Sequence, residues 1–247
     1  MKASPQEQLR LLELADIDAE VTRLSHRRDS LPEHEEIAGL RAREVELADT
    51  IAELTARGSD LKREQAKAEA DVEQVRSRID RDRKRLDEGT VSSPRELENL
   101  QSEVESLMRR QSDLEEIVLD VMERREASDS AFQEATRART AVGTQFADAT
   151  ARRDAALAEL DAQANAAAGR RANVTANLPA DLVELYDKLR AQHGGVGAAA
   201  LRQGRCSGCN LTLNTVDLNA LRAAPADEVL RCEECRRILV RTPESGL

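Results

Sequence analysis

Glu88-Gly89-Thr90-Val91-Ser92-Ser93-Pro94-Arg95-Glu96 decides the fold, because it separates two long apolar repeats and carries the residues that end one helix and start another. Gly89 supplies the left-handed conformation that closes a helix at little cost. Ser93 is placed to cap the next helix, Pro94 suits its first position, and Ser93 with Glu96 has capping-box spacing. Upstream, Ile37, Leu40, Leu47, Ile51, Leu54, Leu61, Ala68, Val72, Val75, Ile79 and Leu86 step by three and four, with Glu44, Gly58, Gln65 and Asp82 in the remaining places. Downstream, the stepping runs from Leu97 through Leu100, Val104, Leu107, Leu114, Val118, Val121, Phe132, Ala135, Val142, Phe146, Ala149 and Ala156 to Leu160 in one phase. Its polar places are Gln111, Arg125, Ser128, Arg139 and Arg153. Two heptad arrays joined by a capped turn predict a long intramolecular antiparallel coiled-coil hairpin, so the chain is expected to be mostly α.

Composition agrees. Of 247 residues, 34% are charged, 40% hydrophobic and only 1% aromatic, so the large rings that usually fill a globular core are missing. The net charge of -10 argues against a protein that coats nucleic acid along its length. No apolar run is long enough for a membrane span, and residues 1–10 lack the apolar segment of a signal peptide. A cytoplasmic protein is expected, without a membrane or small-molecule partner, and as a monomer with a dimer left open.

Before the first array, Leu14, Ile17, Val21, Leu24 and Leu31 form another three-four series whose phase is offset by two, and Pro32 sits at the join. A break or kink is expected there. Reflecting the chain about Val91 sets this segment against residues 151–168, whose many alanines permit close helix approach. Residues 179–193 carry a stripe of Leu182, Leu185, Tyr186 and Leu189, ended by Gly194 and Gly195. Short strands are expected at residues 198–202, 211–213, 229–231 and 238–240, a short helix or loop at 215–223, and a frayed tail at 242–247. The implied organisation is a kinked hairpin over residues 1–175 with its turn at 88–95, a linking helix over 176–195, and a small β domain over 196–247.

All four cysteines lie in that last segment, as Cys206-Ser207-Gly208-Cys209 and Cys232-Glu233-Glu234-Cys235. Two residues between cysteines turn both sulfurs toward one point, and two such turns supply four thiolates for a tetrahedral zinc. Four protein ligands leave no position for water or substrate, so one structural Zn2+ is expected, and its binding becomes folding free energy. Thiolates alone leave an iron–sulfur cluster open as the less favoured occupant. A thioredoxin-like role lacks the βαβ surroundings it needs.

With these residues in view, the sequence resembles a bacterial family that joins a coiled-coil helical hairpin to a C4-type zinc ribbon. The resemblance rests on Ser93-Pro94-Arg95-Glu96-Leu97 with Leu100 and Glu103, on Cys206 to Cys209 followed by Leu213, and on Cys232-Glu233-Glu234-Cys235-Arg236-Arg237-Ile238-Leu239. It covers essentially the whole chain and implies a non-enzymatic binding protein, with some relatives linked to RNA or transcription. The family usually has Gly where this chain has Arg236, which puts the second knuckle's turn in question.

Two basic groups are candidate contacts. Arg76, Arg78, Arg81, Arg83, Lys84 and Arg85 precede the turn, but Glu98, Glu103 and Glu105 stand opposite in the reflected chain, so a salt-bridged face is the preferred reading. The ribbon carries Arg202, Arg205, Arg231, Arg236, Arg237 and Arg241, a candidate face for protein or for RNA or DNA phosphates. Ser93, Pro94, Arg95 and Glu96 form a third candidate surface. His26, His34 and His193 have no partner at ligand or dyad spacing and read as surface residues. The favoured function is a zinc-binding adaptor, with the hairpin for protein partners and the ribbon for protein or nucleic acid. A cysteine-based redox or other enzyme and a purely structural spacer are the alternatives.

Overall fold

The computed structural model describes residues 1–91 and 93–247; Ser92, inside the turn quoted above, lies outside them. The elements are α1 (Pro5–Asp29), α2 (Pro32–Asp87), α3 (Pro94–Thr175), α4 (Ala180–Gln192), β1 (Ala198–Arg202), β2 (Arg205–Cys206), α5 (Thr215–Ala223), β3 (Leu230–Arg231) and β4 (Ile238–Arg241). They form two compact units, Glu36–Ala149 and Met1–Glu35 with Thr150–Leu247.

Glu36–Ala149 is the antiparallel hairpin. Every α2 position of the three-four series, from Ile37 to Leu86, is buried or half-buried. On α3, Leu100, Val104, Leu114, Val121, Ala135 and Ala149 are buried in the expected phase, while Leu97, Phe132 and Arg139 are left exposed. The polar interruptions of the two arrays find one another. Arg125 Nη1 donates to Gln65 Oε1 at 3.1 Å, and Arg139 pairs with Glu44 at 3.5 Å. Polar residues in a seam cost stability but favour the one register that matches them. The expected turn is present: Gly89 has φ 63, α3 starts at Pro94, and the Leu97 N–H bonds to the Ser93 carbonyl at 3.0 Å.

The basic run before the turn is salt-bridged in part: Lys84 pairs with Glu88 at 3.8 Å and Arg85 with Asp82 at 3.9 Å, while Arg81 donates to Ser77 O and Arg83 to Met108 Sδ. Arg78 pairs with Glu103 as the reflection suggests, whereas Arg76 reaches Glu115 at 3.5 Å and Glu73 at 3.7 Å. Arg124 with Glu64 and Arg125 with Gln65 centre the pairing on residues 94–95, a few positions after Val91. About this centre α2 stops short at Asp87 while α3 already starts at Pro94, so the turn is taken from the α2 side.

In the other unit, α1 lies against the end of α3, held by Arg28–Asp161 at 2.8 Å and Arg170–Glu20 at 2.7 Å. The later mirror point moves the partner of α1 beyond residues 151–168, so Ala167 and Val174 join its core. The break at Pro32 is real: α1 ends at Asp29 and α2 starts at Pro32. α1 opens on a capping box, with Ser4 Oγ accepting from the Glu7 N–H and the Glu7 carboxylate accepting from the Ser4 N–H at 2.6 Å.

The sheet has strand order β2-β1-β4-β3, with β1 and β4 parallel at its centre and both outer pairs antiparallel. Strand alternation gives it two buried faces. Ala198, Ile238 and Val240 pack with Leu11, Leu14, Ile17, Leu182, Tyr186 and Leu189 from α1 and α4. Ala199, Leu201 and Leu239 pack with Cys206, Cys232, Leu213 and Leu221. Residues 211–213 do not make a strand and contribute only an isolated Arg205–Thr212 bridge. Nor is the tail frayed: Gln203 N–H bonds to Glu244 O at 2.8 Å, and the buried Ser245 hydroxyl donates to Leu201 O at 3.0 Å. No helix among the described residues is long and apolar enough to cross a membrane.

Candidate metal centre

The first cysteine pair sits on the turn that follows β2 and the second on the turn between the antiparallel β3 and β4, and the two turns repeat one pattern. In the first, Cys206 N–H bonds to Leu211 O at 3.0 Å and Asn210 N–H to Cys206 O at 2.8 Å. In the second, Cys232 N–H bonds to Arg237 O at 3.0 Å and Arg236 N–H to Cys232 O at 2.9 Å. The residue after each second cysteine is left-handed, Asn210 at φ 60 and Arg236 at φ 61. That geometry explains why the resembling family favours Gly at the second of these places, and the turn survives with Arg there. Gly208 is tightly placed, since a Cβ would come within 2.9 Å of both Ala199 Cβ and Arg237 Cδ.

The four Sγ atoms lie within 4.8 Å of one another, with Cys206–Cys235 and Cys209–Cys232 both at 3.9 Å. A tetrahedron with Zn–S bonds of about 2.3 Å has edges of about 3.8 Å, so the set fits zinc and is far too open for disulfides. Cys206 and Cys232 are buried, Cys209 and Cys235 half-buried. Burial pushes the Cys206 thiol up to about 12 and raises Cys232 as well. For Cys235 burial acts in the same direction but is outweighed by hydrogen bonds from the Arg237 backbone and side chain, leaving it below its ordinary value. Zinc supplies the charge that turns these thiols into ligands, and with four of them its role is structural.

The candidate arginines divide. Arg237 donates to Val196 O at 3.0 Å, Gly208 O at 3.2 Å and His193 O at 2.9 Å; Arg241 donates to Leu221 O at 3.3 Å, Ala224 O at 2.8 Å and Pro225 O. Their donors are used inside the fold, which removes both from the candidate contact face. Arg202, Arg205, Arg231 and Arg236 are exposed. Arg202 and Arg236 hold only surface pairs, with Glu244 at 3.6 Å and Glu233 at 3.1 Å. At the hairpin turn, Pro94, Arg95 and Glu96 are exposed and Ser93 is half-buried.

A model of the CT398-like coiled coil hairpin domain matches residues 14–194, and one of the C4-type zinc ribbon domain matches residues 205–239. The chain belongs to the CT398-like coiled-coil hairpin family. Neither domain is an enzymatic family. The uncharacterized protein Rv2229c of Mycobacterium tuberculosis is 38% identical over 98% of both chains. A solved structure from Mycobacterium smegmatis superposes with a TM-score of 0.81 at 38% identity, over 98% of this chain and 100% of that one. CT398 of Chlamydia trachomatis, at 16% identity, has the same fold over 96% of this chain and 98% of its own, with a TM-score of 0.69.

Residues of the zinc-bearing unit that sequence reading missed lie in the helices. Asp18 is fully buried: Arg171 Nε donates to it at 2.9 Å, the Tyr186 hydroxyl at 2.9 Å, and Arg190 Nε lies 3.1 Å away. Burial first, then the Asp18 carboxylate, raise the Tyr186 phenol above its ordinary value. Burial opposes the charge of Arg171, and Asp18 with Asp187 outweighs it. The chain start was missed as well: Ala3 N–H bonds to Asp227 O at 2.8 Å and Val229 N–H to Met1 O at 3.2 Å, extending the sheet beyond β3.

Proposed function

We propose that this zinc-binding protein is a non-enzymatic adaptor that engages a protein partner through the side of its hairpin. The observation that carries this reading is apolar surface the seam does not use. Leu119 is 59% exposed, Ile117 47%, Met108 46% and Met122 38%, on a helix most of whose seam positions are covered. Side chains of this kind cost solubility unless something docks on them. Val72, Val118 and Leu119 form the floor of a shallow groove edged by Glu69, Glu73, Arg76 and Glu115. The mostly acidic edge favours a protein over a nucleic acid at this place.

The test is in-cell crosslinking from position 115, at the edge of the groove, with the partner identified by mass, repeated with Leu119→Glu and Met122→Glu together. A defined partner lost on substitution supports the reading. Crosslinks that are identical with and without the substitutions remove the hairpin side as the contact.

A second reading puts protein or nucleic acid on the ribbon through Arg202, Arg205, Arg231 and Arg236, whose exposure is the observation in its favour. Arg205 and Arg231 lie on the opposite outer strands β2 and β3, which spreads the charge instead of concentrating it. Reversing both to Glu should flatten the salt dependence of RNA binding if phosphates are the target. Unchanged binding leaves Ser93 to Glu96 at the turn as the next surface to probe.

A further inference from the structure

Among the side chains around the metal centre, Arg237 is tied to three separate pieces of the fold. Its guanidinium donates to Gly208 O in the first knuckle, Val196 O in the approach to β1 and His193 O at the end of α4. Its own carbonyl accepts the Cys232 N–H that shapes the second knuckle. His193 closes α4, where the helix presents its negative end and a cation is favoured. The approach to β1 already presses on that helix, since a Cβ on Gly197 would meet Tyr186 O at 2.4 Å. One turn further back, Tyr186 and Arg190 of α4 hold Asp18 of α1.

We propose that Arg237 is the positioning residue of the zinc centre and that, through its three carbonyl contacts, filling the four-thiolate site and docking α4 are one coupled event. Three parts of the chemistry support this. A planar fork reaches several carbonyls in fixed directions, which a lysine ammonium on a flexible stem does not. Four thiolates around a divalent cation leave a net negative charge, which a guanidinium two residues from Cys235 offsets. Groups that orient metal ligands without touching the metal commonly carry a 10–100-fold share of affinity. Coupling is reciprocal, so whatever loosens α4 must weaken zinc by the factor with which zinc tightens α4. The inference concerns how the zinc-bearing unit holds together and stands whether or not the adaptor reading does.

Arg241 is the internal control, because it braces the end of α5 through Leu221, Ala224 and Pro225 in the same manner but touches neither knuckle nor α4. Zinc affinity of the full chain is measured by chelator competition for the parent, Arg237→Ala, Arg237→Lys and Arg241→Ala, with hydrogen exchange of Ala180–Gln192 followed with and without zinc. The expectation is a loss of about 10–100-fold for Arg237→Ala, little recovery in Arg237→Lys, and less than about threefold for Arg241→Ala. Asp18→Asn should lower zinc affinity in the parent and lose most of that effect in Arg237→Ala. Parent-like affinity in Arg237→Ala, full recovery with Lys, an equal loss in Arg241→Ala, or additive effects with Asp18→Asn would each overturn the proposal. Should Arg237→Ala not fold, Arg237→Lys alone decides, because affinity within about threefold of the parent would show that the fork is not needed.

Discussion

The hairpin Glu36–Ala149 and the unit formed by Met1–Glu35 with Thr150–Leu247 are built on opposite plans. In the hairpin, many of the seam side chains are only half-buried, and each layer repeats the last. The other unit concentrates its burial: Leu11, Leu14, Asp18, Leu182, Tyr186, Ile238 and Val240 are closed from solvent and meet across α1, α4 and the sheet. Stability spread along a seam should tolerate single changes. Stability gathered at a few residues and a metal should fail together.

Metal removal is the hardest test of that contrast and the largest expected effect. Because the sheet is the floor of both cores, stripping zinc should cost hydrogen-exchange protection in β1 to β4 and also in α1 and α4, while Glu36–Ala149 keeps its own. Structural zinc binds small domains with an apparent free energy on the order of 10 kcal/mol, more than such a unit has to spare. The same outcome is expected from Cys206→Ser. Acid should reproduce it, since the buried Cys206 and Cys232 thiols hold their protons in the metal-free fold and zinc must displace them. Zinc-derived stability is therefore present at neutral pH and lost as pH falls. Retained protection in α1 and α4 after metal loss would break the comparison and make the ribbon an independent module.

That coupling was the least legible feature of the sequence. Periodicity reports one buried face per helix, so the seam, the break at Pro32 and the turn at Gly89 and Pro94 were readable, as were the four ligands from their spacing. Ala198, Ala199 and Ala200 carry no comparable signal, because small residues in a short run do not say that both faces of a strand are covered. Asp18 is one acid among many on charged helices, and only the fold shows that it faces Tyr186. The start of α1 was readable and overlooked: Ser4-Pro5-Gln6-Glu7 repeats the pattern of Ser93-Pro94-Arg95-Glu96.

Asp18→Ala comes next in size. It leaves the Tyr186 hydroxyl without its acceptor, Arg190 without its ion-pair partner and Arg171 with Asp187 alone, and breaking a buried pair from one side costs about 3–5 kcal/mol. The lower end is expected, because Arg171 and Arg190 keep part of their guanidinium in water. Denaturant unfolding monitored through Tyr186 should show the loss, and hydrogen exchange in Glu36–Ala149 should not change. A matching loss in the hairpin would mean that the units unfold as one.

The hairpin itself should respond in the other direction. Replacing Gln65 and Arg125 together by Leu substitutes apolar contact for a half-buried polar pair and should stabilise the hairpin by about 1 kcal/mol. The exchange removes a contact that matches the register, so the expected accompaniment is a broader unfolding transition and weaker crosslinking between positions 41 and 146, where Arg41 now sits over the Phe146 ring. A large destabilisation instead would show that stability in the hairpin is as concentrated as in the other unit.

The smallest effect is expected from Arg236→Gly, and it tests the zinc unit at its least optimised point. Arg236 at φ 61 occupies a conformation that costs an L-residue roughly 1–2 kcal/mol, part of which glycine gives back through its greater freedom in the unfolded chain. A net gain of about 0.5–1 kcal/mol should appear as slower zinc release to a chelator, with the hairpin untouched. The side chain offers little to set against that gain, since its ion pair with Glu233 is exposed on both sides. If Arg236→Gly weakens zinc retention instead, the exposed guanidinium must be contributing to the centre through its charge, and the stability of this unit would extend to its surface.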